Sequence, residues 1–548
     1  MSASQDQDPL LSEEGTMYHL NLLGTDVPKH PGHEASLAPI IASPALRRLV
    51  ENHRVPQNAE VHADTVADSE ARYLKSDPES AADADTDPGP STPLQYGLLA
   101  GVSDKLRLTN ARVKAGEPVA AEEDPRLFFN ITPPSSTFIC GSQGSGKSHT
   151  LSCILEACLI PSSKLGRLPK PLAAVVFHYD TFISDARGQP CEAAYLASND
   201  EIEVRVLCAP TNIPTIKKTY AGLNVTIEPL TIDQGHLGTQ RMMELMAVSE
   251  DDVPLYMESV KRILREMRIA QQKSGARGFN YREFRTRIDG CDFTPGQMAP
   301  LLQRLDALES FMPASQTKLA TRKRTKVGGG GTDWTSVPGR LTIVDLSCPC
   351  ISPATACSLF NICLSIFLQS DMNGVNVGRV VALDEAHKYM TSTPESAVFT
   401  ETILRAVRLQ RHLGARIIVS TQEPTVSTAL LDLCSVTIVH RFTSPDWMKV
   451  LKGHLAAAQK KIGVGSSKSE RDDDTVATLF ERIVQLKVGE ALLFAPSAIV
   501  GVRVRDDQDN GASGFEQGIE FEKLGGKALG VTVRGRLTVD GGKSILSQ

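Results

Sequence analysis

One segment limits the possible folds of this chain more than any other. An apolar stretch at residues 137–140 runs into Gly141-Ser-Gln-Gly-Ser-Gly-Lys-Ser148, and an apolar helical pattern follows. Such glycines let backbone N–H groups turn inward around phosphates, and the N-terminus of the following helix adds the positive end of its dipole. The lysine of this pattern reaches the β- and γ-phosphates, and its serine hydroxyl ligates Mg²⁺. The segment therefore predicts a strand–loop–helix unit that binds ATP and Mg²⁺, with these nucleotide contacts: Gly141, Ser142, Gln143, Gly144, Ser145, Gly146, Lys147, Ser148 and His149.

A second apolar stretch, at residues 379–383, ends in two adjacent carboxylates, Asp384 and Glu385. At the carboxyl edge of a parallel sheet, Asp384 would hold Mg²⁺, directly or through water. Glu385 would orient and polarise the attacking water. The alternative is an ordinary strand followed by a helix with acidic first residues. The glycine-rich segment upstream favours the catalytic interpretation.

Short apolar runs alternate with helical patterns from about residue 94 onward, which predicts an α/β fold with a mainly parallel sheet. The predicted strands are apolar nearly throughout, as expected for strands covered on both faces. They lie at residues 137–140, 173–179, 203–208, 341–346, 380–383, 416–420, 436–439 and 491–494.

The predicted organisation along the chain has five parts. A first part of the ATPase core spans residues 93–237, and a second part spans residues 336–505. Between the two motifs, residues 238–335 form an all-helical insertion with an exposed flexible loop, because apolar residues recur there at helical spacing. The basic run at residues 322–326 belongs to that loop, as a solvated segment or as a phosphate contact. A C-terminal extension covers residues 506–548.

Residues 1–92 are predicted to be a disordered acidic tail, because they are too polar to bury a core. Nine acidic residues fall between positions 60 and 88, and the formal net charge of the whole chain is −6. The near-neutral remainder neither indicates nor excludes a nucleic-acid partner. Without a signal peptide or a long apolar run, we expect a soluble intracellular protein with no membrane partner, in either the nucleus or the cytoplasm.

The eleven cysteines fit a reducing compartment, since most of them sit in apolar runs. The cluster of Cys348, Cys350, Cys357 and Cys363 lacks the spacing of a zinc site, because Cys357 and Cys363 fall in a helical pattern. We therefore expect no zinc.

A third group of polar residues precedes and follows the apolar stretch at residues 416–420. Gln422 ends that stretch and could hydrogen-bond the γ-phosphate or the attacking water. Arg405, Arg408 and Arg411 recur at a spacing of three, so they share one helix face. Surface ion pairing with Glu401 and its neighbours is the alternative role for each arginine.

Taken together, three motifs resemble those of the HerA–FtsK superfamily of hexameric P-loop ATPases, and of fungal HerA-like P-loop NTPases in particular. They are Leu-Asp-Glu-Ala-His-Lys-Tyr at residues 383–389, Arg-x-x-Arg-x-x-Gly at 408–414, and Ser-Thr-Gln-Glu-Pro at 420–424. The resemblance extends over residues 94–505. It implies a RecA-like core, a homo-hexameric ring, and ATP-driven movement of DNA or another polymer through the pore. It also implies a sensor role for Gln422 and a trans-acting arginine finger, with Arg411 slightly favoured over Arg408 because it lies nearer the following strand.

Other functions share some of these features. Superfamily II RNA helicases also contain Asp-Glu-Ala-His, but the interval from Lys147 to Asp384 is much longer here, and no second RecA-like domain follows. An ATP-dependent switch or scaffold acting on protein partners would keep the same site, and so would a protein-secretion translocator. Stimulation of ATP hydrolysis by DNA separates the motor from the switch.

Overall fold

The computed structural model describes residues 31–52, 94–118, 120–184, 188–246, 256–275, 278–317, 330–369, 377–454, 479–504 and 519–541. The acidic run at residues 60–88 and the basic loop at 322–326 lie outside these residues, as do residues 506–518 of the predicted C-terminal extension.

One mixed sheet organises the described part of the chain. Its order is β15-β14-β1-β3-β2-β16-β13-β12-β4-β11-β10-β6-β9-β7-β8, with the short β5 paired to β2. The strands are β1 (Ile40–Ala42), β2 (Tyr96–Val102), β3 (Arg126–Asn130), β4 (Ser136–Cys140), β5 (Gly166–Arg167), β6 (Ala173–His178), β7 (Glu203–Cys208), β8 (Thr226–Pro229), β9 (Arg340–Asp345), β10 (Arg379–Leu383), β11 (Ala415–Thr421), β12 (Val436–Val439), β13 (Glu490–Phe494), β14 (Ile499–Val504), β15 (Ile519–Lys523) and β16 (Leu529–Val533).

The helices connect these strands and cover both faces of the sheet. They are α1 (Pro31–Ser36), α2 (Ser43–Asn52), α3 (Ser103–Ala115), α4 (Lys147–Leu159), α5 (Ile213–Thr219), α6 (Thr239–Leu245), α7 (Tyr256–Ser274), α8 (Tyr281–Asp289), α9 (Pro295–Glu309), α10 (Pro353–Gln369), α11 (Pro394–Arg408), α12 (Gln410–Leu413), α13 (Thr428–Leu433) and α14 (Pro445–His454). Among the described helices, none combines the length and the apolar character needed to span a membrane.

The half of the sheet from β12 to β8 is entirely parallel. Side chains along β4 and β6 alternate between two cores. Phe138 and Val175 belong to one core, whereas Ile139 and Val176 belong to the other. The helical segment α6 to α9, between β8 and β9, packs into the first core, and α4 packs into the second. The α/β class, the mainly parallel sheet and the helical insertion predicted from the sequence are confirmed.

The other half, from β13 to β15, is mainly antiparallel and was not predicted as a sheet, apart from β13 itself. It combines β1, β2 and β3 with β14, β15 and β16 from the C-terminal part of the chain. The prediction that all of residues 1–92 are disordered is wrong for residues 31–52. There β1 pairs with β3 and β14, and Ile41 and Leu49 are buried in a third core. The composition of this segment gave no such indication, because its core is completed by strands from distant parts of the chain.

Candidate active site

The glycine-rich loop lies between β4 and α4. Gly141, Gly144 and Gly146 have φ values of 153°, 71° and 111°, a region that side chains disfavour. A Cβ added at Gly141 would also come within 2.7 Å of the His440 Cβ. These glycines therefore allow the loop to turn tightly and α4 to begin directly at Lys147.

Lys147 is 4% exposed, and its Nζ donates a hydrogen bond of 3.1 Å to the carbonyl oxygen of Ser142. Burial lowers the pKa of Lys147, while the charges of Glu385 and Asp384 raise it. The Ser145 hydroxyl donates to the same carbonyl at 2.7 Å. The ammonium group is thus held against the loop, within the field of the two carboxylates that follow β10.

Asp384 is buried at the carboxyl end of β10. Its Oδ2 lies 3.3 Å from His178 Nδ1 and accepts from the Cys191 thiol at 3.7 Å. Burial raises the pKa of Asp384, but the hydrogen bond and charge of His178 and the charge of Lys388 outweigh it, so the pKa lies below the ordinary value. Its Oδ1 is buried without a hydrogen-bond partner among the described residues. An ionised carboxylate with one free oxygen fits a Mg²⁺ ligand, because Mg²⁺ prefers oxygen donors.

Among the described residues, Glu385 is the one non-glycine residue with a positive φ, at 48°. Such backbone costs about 1–3 kcal/mol and is concentrated at functional sites. Its Oε2 accepts a 3.1 Å hydrogen bond from Gln422 Nε2 and lies 3.3 Å from His387 Nδ1. Burial lowers the pKa of His387, and the charge of Glu385 raises it. The His387 Nδ1 also accepts from the Gln422 backbone N–H at 3.4 Å.

The strand order brings the three motifs to one edge. β11 lies between β4 and β10, with Thr421 opposite Cys140 and Val419 opposite Leu383. The carboxyl ends of these parallel strands carry the glycine-rich loop, Gln422 and the Asp384–Glu385 pair. This places β11 between the strands of the two main motifs.

The two predicted arginine-finger residues lie elsewhere. Arg408 is exposed and pairs with Glu401 at 3.3 Å, which is the surface alternative considered for it. Arg411 is exposed on the short helix α12, before the amino end of β11. Neither arginine is therefore near the site of its own chain, whose residues follow the carboxyl end of β11.

His149, predicted as a nucleotide contact, has its Nε2 2.8 Å from the Arg534 carbonyl oxygen. Arg534 also reaches the buried Glu156 of α4 with its Nη1, 2.6 Å from Oε2. A segment near the C-terminus thus lies along α4, from its first turn to its third, and the sequence gave no signal for it.

A further histidine, His440, was also missed. Its Nδ1 lies 3.1 Å from the Glu490 carbonyl oxygen, and its Nε2 lies 2.9 Å from the Thr150 hydroxyl. Because a carbonyl only accepts, Nδ1 is the donor and Nε2 accepts from Thr150. Burial lowers the pKa of His440 to about 4. A polar residue at the carboxyl end of a buried parallel strand was the available signal, directly after β12 for His440 and as the last residue of β6 for His178.

The strand order, the glycine-rich loop and the paired carboxylates define a P-loop NTPase. No protein-family model and no curated protein match the chain. Among solved structures, the chain is similar to VirB4 of Thermoanaerobacter pseudethanolicus, with 11% sequence identity, a TM-score of 0.41, and coverage of 74% of this chain and 91% of that one.

Two further solved structures are similar to the chain. The plasmid coupling protein TrwB, in complex with the GTP analogue GDPNP, has 12% identity and a TM-score of 0.39, covering 82% of this chain and 97% of TrwB. The genome packaging NTPase B204 from Sulfolobus turreted icosahedral virus 2, in complex with ATP-gammaS, has 9% identity and a TM-score of 0.24, covering 66% of this chain and 91% of that one. The strand order and the site of the chain itself define the P-loop NTPase class.

Proposed function

We propose that this protein is a Mg²⁺-dependent ATP hydrolase. The observation that carries the proposal is the 3.1 Å hydrogen bond from Gln422 Nε2 to Glu385 Oε2. It lies at the edge of the sheet where the glycine-rich loop follows β4. A loop that only bound nucleotide would need neither residue. A carboxylate held by an amide on the neighbouring strand suits the orientation of a water molecule for attack on the γ-phosphate.

Each residue of the site has a defined task in this proposal. The backbone N–H groups of residues 141–146 and the ammonium of Lys147 bind the phosphates. Ser148 and Asp384 would hold Mg²⁺, which neutralises charge on the β- and γ-phosphates when it is bound. Glu385 accepts a proton from the attacking water. Gln422 holds Glu385 in position and can exchange this bond for one to the γ-phosphate, so that it reports which nucleotide is bound.

The assay that tests the proposal measures phosphate release from ATP by the full chain with Mg²⁺, with excess chelator, and with Lys218→Ala as an exposed-lysine control. We expect hydrolysis that stops when the chelator removes Mg²⁺ and is unchanged in the control. A chain that binds ATP with Mg²⁺ but releases no phosphate would contradict it.

The finer proposal is a homo-hexameric motor of the HerA–FtsK kind that moves DNA. Its support is the position of Arg408 and Arg411. β11 has seven residues, which places its two ends about 20 Å apart at the usual rise per residue. An arginine finger at either position would therefore have to act on the site of a neighbouring subunit. A trans-acting arginine contributes about 10³–10⁵ in rate in related NTPases.

Mixing two inactive variants tests the shared site. Arg411→Ala retains its own Glu385, and Glu385→Gln retains its own Arg411. We expect each variant to be nearly inactive alone, and mixed assemblies to recover part of the hydrolysis rate. No recovery from variants that demonstrably co-assemble would exclude Arg411, after which Arg408→Ala is tested in the same way.

Adding double-stranded DNA to the same assay distinguishes a DNA motor from a switch or scaffold acting on protein partners. Stimulation of hydrolysis by DNA is the result expected for the motor. An ATPase that is indifferent to DNA, turns over as a monomer and shows no complementation would instead be the switch or scaffold acting on protein partners.

A further inference from the structure

Three buried side chains of different chemistry, one of them Asp384, lie close together below the edge of the sheet. They are His178 at the end of β6, Cys191 before the 3-10 helix at Glu192–Ser198, and Asp384 itself. Their exposures are 5%, 0% and 3%. One ligand atom from each lies within 4.8 Å of the others. An imidazole, a thiol and a carboxylate together form a donor set that zinc proteins use.

Two of the three separations between these atoms match a tetrahedral ion. Zinc bonds of about 2.0–2.2 Å to nitrogen and oxygen and about 2.3 Å to sulfur give ligand separations of about 3.4 Å for nitrogen–oxygen and about 3.6 Å for sulfur–oxygen. The observed separations from Asp384 Oδ2 are 3.3 Å to His178 Nδ1 and 3.7 Å to Cys191 Sγ. The three side chains could therefore bind zinc with little movement.

An unsatisfied oxygen of Asp384 at the same place is a second observation. His178 Nε2 and Asp384 Oδ1 are both buried without a hydrogen-bond partner among the described residues. Buried polar groups of this kind are rare because each costs about 1–3 kcal/mol. Asp384 Oδ1 would join Oδ2 on a bound ion and so become unavailable to Mg²⁺, whereas His178 Nε2 faces away from an ion held by Nδ1 and does not contact it.

Neighbouring residues hold Cys191 in place. Its backbone N–H donates to the Tyr220 hydroxyl at 3.1 Å, and that hydroxyl donates to Asp345 Oδ2 at 2.6 Å. Asp345 Oδ1 in turn accepts from the Ser347 N–H at 2.9 Å. Groups that fix a ligand in this way typically affect metal affinity by about 10–100-fold. The thiol is thus positioned by buried hydrogen bonds.

We propose that His178, Cys191 and Asp384 form an inhibitory site for Zn²⁺. On binding, zinc replaces the thiol proton of Cys191 and the Nδ1 proton of the His178 imidazolium, and both protons pass to solvent. Mg²⁺ does not compete for the thiol and imidazole, because it prefers oxygen ligands, whereas Zn²⁺ accepts all three donors. Zn²⁺ thereby withdraws Asp384 from Mg²⁺ and stops turnover. This last step rests on the proposed ATP hydrolysis, whereas zinc binding does not.

Cobalt binding to the full chain tests the site without reference to activity. Co²⁺ bound through a thiolate absorbs in the near ultraviolet and, in tetrahedral geometry, in the visible. We expect one equivalent of Co²⁺ to produce these bands, Zn²⁺ to abolish them, Cys191→Ser to lack them, and Cys350→Ser, at an exposed cysteine, to retain them. Melting curves check that each variant is folded. Absence of the bands from the wild type, or their persistence in Cys191→Ser, overturns the proposal.

Zinc titration of ATP hydrolysis at saturating Mg²⁺ then tests the inhibition, with each variant normalised to its own zinc-free rate. Wild type and Cys350→Ser should be inhibited alike and recover on chelation. Cys191→Ser should need a zinc concentration at least about 10-fold higher than the wild type for the same inhibition. Equal sensitivity of Cys191→Ser and wild type contradicts the inhibitory role. A chain without ATPase activity that still gives the cobalt bands would refute the proposed function and leave the metal site standing.

Discussion

The two halves of the sheet differ in construction and in content. The parallel half, β12 to β8, holds every residue of the candidate site at its carboxyl edge, and its strands are apolar almost throughout. The antiparallel half, β13 to β15, joins residues 40–42 and 96–130 to residues 499–533. The candidate site thus lies in one half, while the other half joins the N-terminal and C-terminal parts of the described chain.

The seam between the halves lies beside the nucleotide loop. β12 is the last parallel strand and β13 is the first antiparallel one. His440, directly after β12, bonds both to Thr150 of α4 and to the carbonyl of Glu490 in β13. The antiparallel half therefore packs beside the glycine-rich loop, and none of the predicted site residues belongs to it. The following predictions test that division of labour.

The largest effect is expected for Lys147→Ala in the parallel half. Loss of its charge leaves only backbone amides to bind the phosphates, so ATP affinity should fall below what calorimetry detects. Its melting temperature without nucleotide should stay close to that of the wild type. Unchanged ATP affinity would show that the glycine-rich loop is not the nucleotide site.

Ile41→Ala is the matching change in the antiparallel half. Ile41 is fully buried against the core that holds Leu46, Leu49 and Ile499. Truncation of such a residue costs about 2–5 kcal/mol of unfolding free energy. Denaturant titration should show that loss, whereas ATP affinity of the folded protein should not change. Ile269→Ala, at a side chain 47% exposed, is the control and should be nearly neutral. Reduced ATP affinity in folded Ile41→Ala would mean that the halves are not separable.

His440→Gln tests the seam through pH. The pKa of His440 is lowered to about 4 in the folded state from 6.5, so the unfolded chain binds more protons between these values. Stability therefore falls as pH drops from about 6.5 to 4, by about 3 kcal/mol from this group. The variant should lose less stability than the wild type over that range, in denaturant titrations at pH 7 and pH 4.5. The exposed-site control His412→Gln should follow the wild type. Identical pH profiles for all three would remove His440 from the seam.

The difference between the parallel and antiparallel halves also explains which strands could be predicted from the sequence. Strands such as β4, β6 and β10 are buried on both faces, so each reads as a continuous apolar run, and Asp384 and Glu385 at the end of one of them were recognisable. The antiparallel strands are short or partly exposed, and several of their partners are distant, such as β1 with β14 and β2 with β16. Ile41 pairs with Ile499, nearly at the other end of the chain. No local pattern encodes that register.

Contacts within the site were predictable only in part. Gln422 was expected near the γ-phosphate or the attacking water, and its bond to Glu385 follows from the adjacency of β11 and β10 in the sheet. The grouping of His178 and Cys191 with Asp384 depends on the path of a loop after β6, and no spacing rule anticipates it. Arg408 was expected to pair either with phosphate or with Glu401, and within one chain it pairs with Glu401.

The central claim is that Glu385 performs hydrolysis on a nucleotide that other residues bind. Single-turnover hydrolysis of ATP by Glu385→Gln, compared with ATP binding by the same protein, tests it most directly. General-base catalysis typically contributes about 10²–10⁴ in rate, so hydrolysis should slow by that factor while binding is retained. Glu122→Gln, at an exposed carboxylate, should match the wild type in both measurements. Undiminished hydrolysis in Glu385→Gln would contradict the claim.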